Sequence, residues 1–386
     1  MKGQLSLVIL ISLLIAGCGG GSISGNDPAS CFKPQPGEVY LDRDAIFVAN
    51  TGSSSISAFQ LVGPSTGPAA GPVCGSPFAV ADPPTALAGG ILFDQGLLVL
   101  SQPAKSISMY SVDYLTSELT GPDFTVTTSL TPVAIAATGH YFYVANAEGN
   151  VSAYSVSSDG GSATELQGSP FLAGAGPDAI TATAQPSVLY VANAQSNNIS
   201  GYSLDASTGI PTPLPGSPYP AGQGPASIKV LPEAMPNSSG VRLVVVANKL
   251  SNNVSVYSMA SDGSLSPVPG SPFPAGSAPT GTSGSGVSPL TFTYVSNSES
   301  NNISGYSIDN ATGTLTLLPG SPFPAGTSPS SIAAASGGFW VYVANAGSDT
   351  LSVYQIGQDG ALTQVSGSPF AVGKSPSAVL YFQVPQ

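Results

Sequence analysis

A four-residue phrase, an aliphatic residue, serine, any residue and an aromatic, occurs seven times: Ile56–Phe59, Ile107–Tyr110, Val151–Tyr154, Ile199–Tyr202, Val254–Tyr257, Ile303–Tyr306 and Leu351–Tyr354. Eight or nine residues before each aromatic, an apolar run ends in an amide, at Asn50, Asn146, Asn193, Asn248, Asn297 and Asn345, with Ser101 filling the second slot. A period of roughly 50 residues is one supersecondary unit that cannot bury its own faces, so successive units must pack on one another. The aliphatic and aromatic residues of each phrase stand three apart, which puts them on opposite faces of a strand. Both faces of each unit therefore need a neighbour.

Each period parses into four short strands. The first follows a proline, as in Pro177-Asp-Ala-Ile180, Pro225-Ala-Ser-Ile228 and Pro329-Ser-Ser-Ile332. The second is the run ending Tyr/Val-Val-Ala-Asn, rich in residues that suit a pleated surface, and the third carries the aliphatic-Ser-x-aromatic phrase. The fourth follows turns such as Asp205–Gly209, Asp309–Gly313 and Ser261–Gly263, whose glycines supply the positive φ of a hairpin. Four antiparallel strands repeated seven times, with no helical periodicity, predict an all-β chain forming a seven-bladed β-propeller. The C-terminal segment SPSAVLYFQVPQ matches the first strand of the other units and is expected to pair with Ala45–Asn50, closing the ring; Glu38–Leu41 competes for that place. A second phrase, LPGSPFPAG and its relatives at Gly75, Gly168, Gly216, Gly270, Gly320 and Gly367, with Gly121–Phe124 an eroded copy, is expected to form the blade-to-blade crossover.

The N-terminus places the chain. One cation at Lys2, an apolar run from Leu5 to Ile15, and Ala16-Gly17-Cys18 describe an export signal too short to span a bilayer, and the cysteine after small residues resembles the bacterial lipoprotein signal. The expected organisation is a signal peptide at 1–17, a Gly/Ser/Asn/Pro-rich tether at 18–37 and a single propeller at 38–386, lipid-anchored through Cys18 in a bacterial cell envelope. The remaining cysteines, Cys31 and Cys74, are expected to form a disulfide. The formal net charge is −12 with only two arginines, which excludes the electrostatic footprint of a nucleic-acid binder; membrane contact is expected through the anchor alone, and the protein as a monomer.

Tyr-Val-Ala-Asn followed by Asn-Asn-Ile-Ser-Gly-Tyr-Ser and Asp-x-x-Thr-Gly resembles the YVTN-type repeat and the lactonase-like seven-bladed propellers, over nearly all of residues 38–386. The resemblance implies one of two roles. Some members hydrolyse sugar lactones; many are extracytoplasmic proteins without a settled activity.

The residues themselves bear on both roles. The single histidine, His140, falls in the turn between the first and second strands, on the face opposite the Asn loops, and Arg43 and Arg242 read as loop cations. The residues just before the repeat prolines, Thr131, Gly176, Gly224, Ala278, Ser328 and Ser375, are not ionisable. Asp159, Asp205, Asp262, Asp309 and Asp359 belong to hairpin turns; Glu148, Glu299 and Asp349 follow the Asn strands and share one face. The sequons at Asn198, Asn253 and Asn302 read as turn chemistry. Loops joining strands two and three emerge beside the crossovers. The first expectation is therefore a binding scaffold whose polar, uncharged face, carrying Asn146, Asn193, Asn198, Asn248, Asn253, Asn297, Asn302 and Asn345, meets a glycan or an envelope protein, with no catalytic residue, metal or cofactor. The alternative is a lactone hydrolase.

Overall fold

Pro177, Asn193 and Asn198 lie side by side across three strands, and this register orients the whole blade. The first strand begins where the second ends and the third begins. The loop between strands two and three and the crossover entering the blade therefore share one face, here termed the upper face. Hairpins between strands three and four take the lower face, as Asp205–Gly209 does.

The computed structural model describes residues 44–60, 72–91, 96–113, 115–231, 242–287, 290–335 and 338–383. The expected signal and tether, Cys18, Cys31, Glu38–Leu41 and Arg43 lie outside them. The described residues form seven antiparallel sheets, the blades. They are numbered here by their second strands: Ala45–Asn50 for blade 1, Gly96–Ser101 for 2, Tyr141–Asn146 for 3, Ser187–Asn193 for 4, Arg242–Asn248 for 5, Leu290–Asn297 for 6 and Trp340–Asn345 for 7. The innermost strands of blades 2 to 7 are Ala86–Ile91, Pro132–Thr138, Pro177–Ala184, Pro225–Val230, Pro279–Val287 and Pro329–Ala334. Pro376–Phe382 is the innermost strand of blade 1, antiparallel to Ala45–Asn50, with Ala45 opposite Phe382 and Asn50 opposite Pro376. Each inner strand packs on the next, Pro376–Phe382 on Ala86–Ile91 included, so the ring is closed by the C-terminal strand. Closure removes the free edges that would otherwise template aggregation.

Ile199 and Tyr202 show why the repeated phrase demands a ring. Ile199 packs with Tyr190, Ile228, Val244 and Tyr257, between blades 4 and 5. Tyr202 packs with Tyr143, Ala153, Leu189 and Leu204, between blades 3 and 4. One strand thus feeds two cores. Burying such a side chain stabilises by about 1.5–3 kcal/mol, and the tyrosines add a hydrogen bond that phenylalanine could not. Tyr202, Tyr257 and Tyr306 donate to the carbonyls of Leu172, Pro220 and Pro274 in the preceding blade, and Tyr354 to Pro324 at 2.7 Å. Burial pushes the Tyr306 phenol up to about 12.

The GSPF phrase does more than cross between blades. In blade 4 the outer strand runs as Pro211–Pro213, is interrupted by Leu214–Pro218, and resumes as Tyr219–Pro220 opposite Asn198 and Ile199. Only Ala221–Gly224 crosses to blade 5. The serine carries the interruption: the Gly201 N–H donates to Ser217 Oγ at 2.9 Å in place of the missing strand carbonyl. The same bond joins Ala58 to Ser76, Ala153 to Ser169, Val256 to Ser271, Gly305 to Ser321 and Val353 to Ser368. In blade 2, where the phrase is eroded, Leu119–Thr127 forms one unsplit outer strand.

Candidate functional site

The repeated amides are not a surface. Asn50, Asn146, Asn193, Asn248, Asn297 and Asn345 are 0% exposed. Asn193 Nδ2 donates to Asn198 Oδ1 at 2.8 Å and to Ser200 Oγ at 3.0 Å, and Asn248 and Asn297 repeat the pair with Asn253 and Ser255, and with Asn302 and Ser304. Asn146 bonds Asn150 and Ser152, and Asn345 bonds Thr350 and Ser352. These bonds tie the end of strand two to strand three. The expected ligand-facing residues Asn146, Asn193, Asn248, Asn297 and Asn345 are therefore internal braces, and Asn198, Asn253 and Asn302 are their acceptors. A buried amide must satisfy its donors inside the protein, and here it does.

The loop carboxylates are also largely committed. Glu148 accepts from the Thr131 N–H at 3.0 Å, and Asp349 Oδ1 from the Ser375 N–H at 2.7 Å. Asn197, Asn252 and Asn301 accept in the same way from Gly224, Ala278 and Ser328, so these loops and that of Asp349 pin the crossover entering the next blade, whereas Glu148 pins the one entering its own. Ser106 donates to Asp82. On the lower face Asp205 Oδ1 accepts from the hydroxyls and N–H groups of Ser207 and Thr208, which hold its carboxyl down at about 2. His140 is an exposed turn residue on that lower face. Among the described residues no three of His, Cys, Asp and Glu gather to hold a metal ion.

One position escapes this pattern. In six blades the register shifts immediately after the repeat proline, and the bulged residues are Val133, Asp178, Ala226, Thr280, Ser330 and Ser377; Thr85 follows the corresponding proline of blade 2. They form a ring at the upper mouth of the central channel. Three use a hydroxyl to stitch blades: Thr280 donates to Pro329 O at 2.8 Å, Ser330 to Pro376 O at 2.6 Å and Ser377 to Pro84 O at 3.3 Å. Asp178 is the ionisable member. Asp178 is solvent-accessible at the channel mouth yet has protein around it, and unlike the hairpin aspartates its carboxyl is pushed up by that partial burial, with the Lys249 ammonium pulling it back part of the way. Lys249 follows the second strand of blade 5, so the two charges come from adjacent blades. Lys229 lies further along the inner strand of blade 5, solvent-accessible yet surrounded by protein, as a side chain on the channel wall must be. Burial pushes its ammonium down. Register-equivalent residues on the other inner strands are Ala88, Ala136, Thr181, Ser283, Ala333 and Leu380, none of them ionisable.

Lys249 also lines a cleft of about 470 Å³ that spans blades 5 to 7, with Thr280, Ser298, Glu299, Asn301 and Ser330 among its walls. Asp178 does not line this cleft; Lys249, which does, links the two through its charge. Asp178 was legible in Pro177-Asp-Ala-Ile180, but attention to the residue before each proline missed the residue after it. Lys249 carried no motif.

The seven blades close into a ring whose bulge residues line the upper mouth of its channel. Residues 212–381 match the family model described as lactonase, seven-bladed beta-propeller, so the resemblance to lactonase-like propellers stands over that stretch. Among solved structures, a periplasmic gluconolactonase from Pseudomonas aeruginosa is 20% identical, with 89% of this chain and 99% of that one covered and a TM-score of 0.67. A Bacteroides uniformis protein with a provisional 6-phosphogluconolactonase designation is 18% identical, with 88% and 100% covered and a TM-score of 0.70. At these identities the likeness shows the fold. No curated protein matches the sequence. The family match and the burial of the amides together overturn the expectation of a glycan- or protein-binding scaffold.

Proposed function

We propose that the protein is a lactone hydrolase acting on sugar lactones at the upper mouth of the channel. The observation that carries this reading is Asp178, a carboxylate with a raised pKa set in the ring of bulge residues and within the field of Lys249. Such a group suits a general base, because its proton affinity is moved toward the working pH. Asp178 takes a proton from water, and the water oxygen bonds to the lactone carbonyl carbon. The Lys249 ammonium balances the charge that develops on the carbonyl oxygen. The ring carbon–oxygen bond then breaks, the leaving ring oxygen takes the proton from Asp178, and the product is the open hydroxy acid. Lactone plus water gives hydroxy acid, with Asp178 returned to its starting state.

The test is turnover of D-glucono-δ-lactone by the purified chain begun after Cys18, followed by proton release in weak buffer. Hydrolysis above the spontaneous rate, lost in Asp178→Asn, is the expected result. No turnover of any sugar lactone in a panel would sink the reading.

The location we propose is outside the cytoplasm, with lipid attached at Cys18. The export-type N-terminus supports it, as do the disulfide that engages Cys74 and the periplasmic address of the Pseudomonas neighbour. Among the described residues no helix is long and apolar enough to cross a membrane. Mass spectrometry of the membrane-extracted protein should show acylated Cys18, and an unmodified N-terminal peptide would refute the anchor.

A further inference from the structure

Resting on the lactonase reading, the cleft's chemistry narrows the substrate class: we propose that the site takes an unphosphorylated sugar lactone and rejects the phosphate ester of the same sugar. The argument begins with which way the cleft's protons point. Thr280 and Ser330 donate their hydroxyl protons to the carbonyls of Pro329 and Pro376, and Ser298 donates to Ala278 O at 3.0 Å. A hydroxyl has one proton to give and two lone pairs. With the proton engaged, each of these side chains turns acceptor lone pairs toward a ligand. The backbone donors of the wall are engaged as well: the Thr327 N–H meets Ser348 Oγ at 3.3 Å, and the Ser328 N–H meets Asn301 Oδ1 at 2.7 Å. The side-chain donors that remain are the Asn301 amide nitrogen and the Lys249 ammonium, against the acceptor lone pairs of Thr280, Ser298 and Ser330 and the Glu299 carboxylate. A polyol, which both donates and accepts, matches such a wall, whereas a phosphate brings acceptors and charge.

Charge points the same way. The cleft holds one cation, Lys249, and one carboxylate, Glu299, with the Asp178 carboxylate beside the same lysine. A phosphate monoester carries about −1.5 to −2 at neutral pH, and recognition of it generally uses an arginine fork or a set of free N–H groups. Arg242 is the arginine among the described residues, and it opens the second strand of blade 5, at the lower-face end. Lys229 sits further along the channel wall, and Lys105 and Lys374 lie in loops of blades 2 and 1. Lys105 donates to Ser129 O at 3.3 Å.

The test separates recognition from catalysis. Equilibrium binding is measured at low ionic strength with δ-gluconolactam, a ring amide with no ester to hydrolyse, and with its 6-phosphate. The lactam should bind about tenfold or more tightly than its phosphate, and Glu299→Gln should narrow that gap about fivefold by removing a like charge. Equal or tighter binding of the phosphate overturns the proposal, as does absence of binding by both. Hydrolysis assays on the two parent lactones are run in parallel. Failure of both to turn over, with the lactam still preferred, would refute the lactonase reading while leaving the binding preference standing.

Discussion

Tyr143 in blade 3 donates its hydroxyl to the carbonyl of Gly209 in blade 4 across 2.7 Å, and the tyrosine is fully buried. Tyr190 and Tyr294 make the corresponding bonds to Gly263 and Gly360, so the phenols of strand two hold the hairpins of the following blade. Removing the hydroxyl leaves the ring packed but withdraws the donor from Gly209. Tyr143→Phe should therefore lose about 1–2 kcal/mol of stability, read as a lower urea midpoint with an unchanged denaturant slope. An unaltered midpoint would show that the bond contributes nothing.

Gly222 closes the crossover phrase for a reason the letters do not state. A Cβ at that position would stand 2.5 Å from Asn248 Nδ2, and Asn248 cannot yield because the same nitrogen donates to Asn253 and Ser255. Gly276 and Gly326 lie as tightly against Asn297 and Asn345. Gly222→Ala is expected to cost about 1–3 kcal/mol through overpacking. The loss should be non-additive with Asn248→Ala, since the second change removes the clash; strictly additive losses would refute the contact.

The ring was legible because local chemistry and packing agree in it. Ile199 and Tyr202 three apart require two buried faces, and Pro376–Phe382 could be matched to its role because it repeats the inner-strand pattern after the last outer strand. Burial of the amides was harder to read. An asparagine at a strand end looks the same whether its partners are water or Ser200, and that difference depends on how closely the crossover glycine approaches. The split of the outer strand at Leu214–Pro218 was hidden too, since a serine accepting from Gly201 leaves no periodic trace. Asp178 and Lys249 lie 71 positions apart, and the Lys249 charge acts on Asp178 only because adjacent blades bring inner strand and loop near one another.

Lys229 gives a direct test of the channel environment. Burial lowers its pKa from the ordinary 10.5, so the folded state disfavours its charge. The resulting instability is present at neutral pH and fades as pH rises through the folded value toward the unfolded one. Lys229→Met should accordingly be more stable than the parent at neutral pH, with the difference shrinking in alkali. After reductive methylation with labelled formaldehyde, the Lys229 methyl resonance should titrate below 10.5. Titration at that ordinary value would place the amine in open solvent.

Asp178 should oppose stability and activity to one another. Its folded pKa is raised above 3.8, so ionising it weakens the fold, and the effect is absent below that pH and complete above the folded value. Asp178→Asn should therefore melt higher than the parent at neutral pH while losing about 100-fold or more in kcat/KM on sugar lactones. The acid limb of the parent's kcat/KM profile should lie above the usual carboxylate range, since a base must be ionised to act. Lys249→Met removes the charge that pulls the Asp178 pKa down, so it should move that limb to still higher pH, besides slowing turnover. A limb that stays in place would mean that Lys249 does not act on Asp178, and an active Asp178→Asn would remove the base from the mechanism.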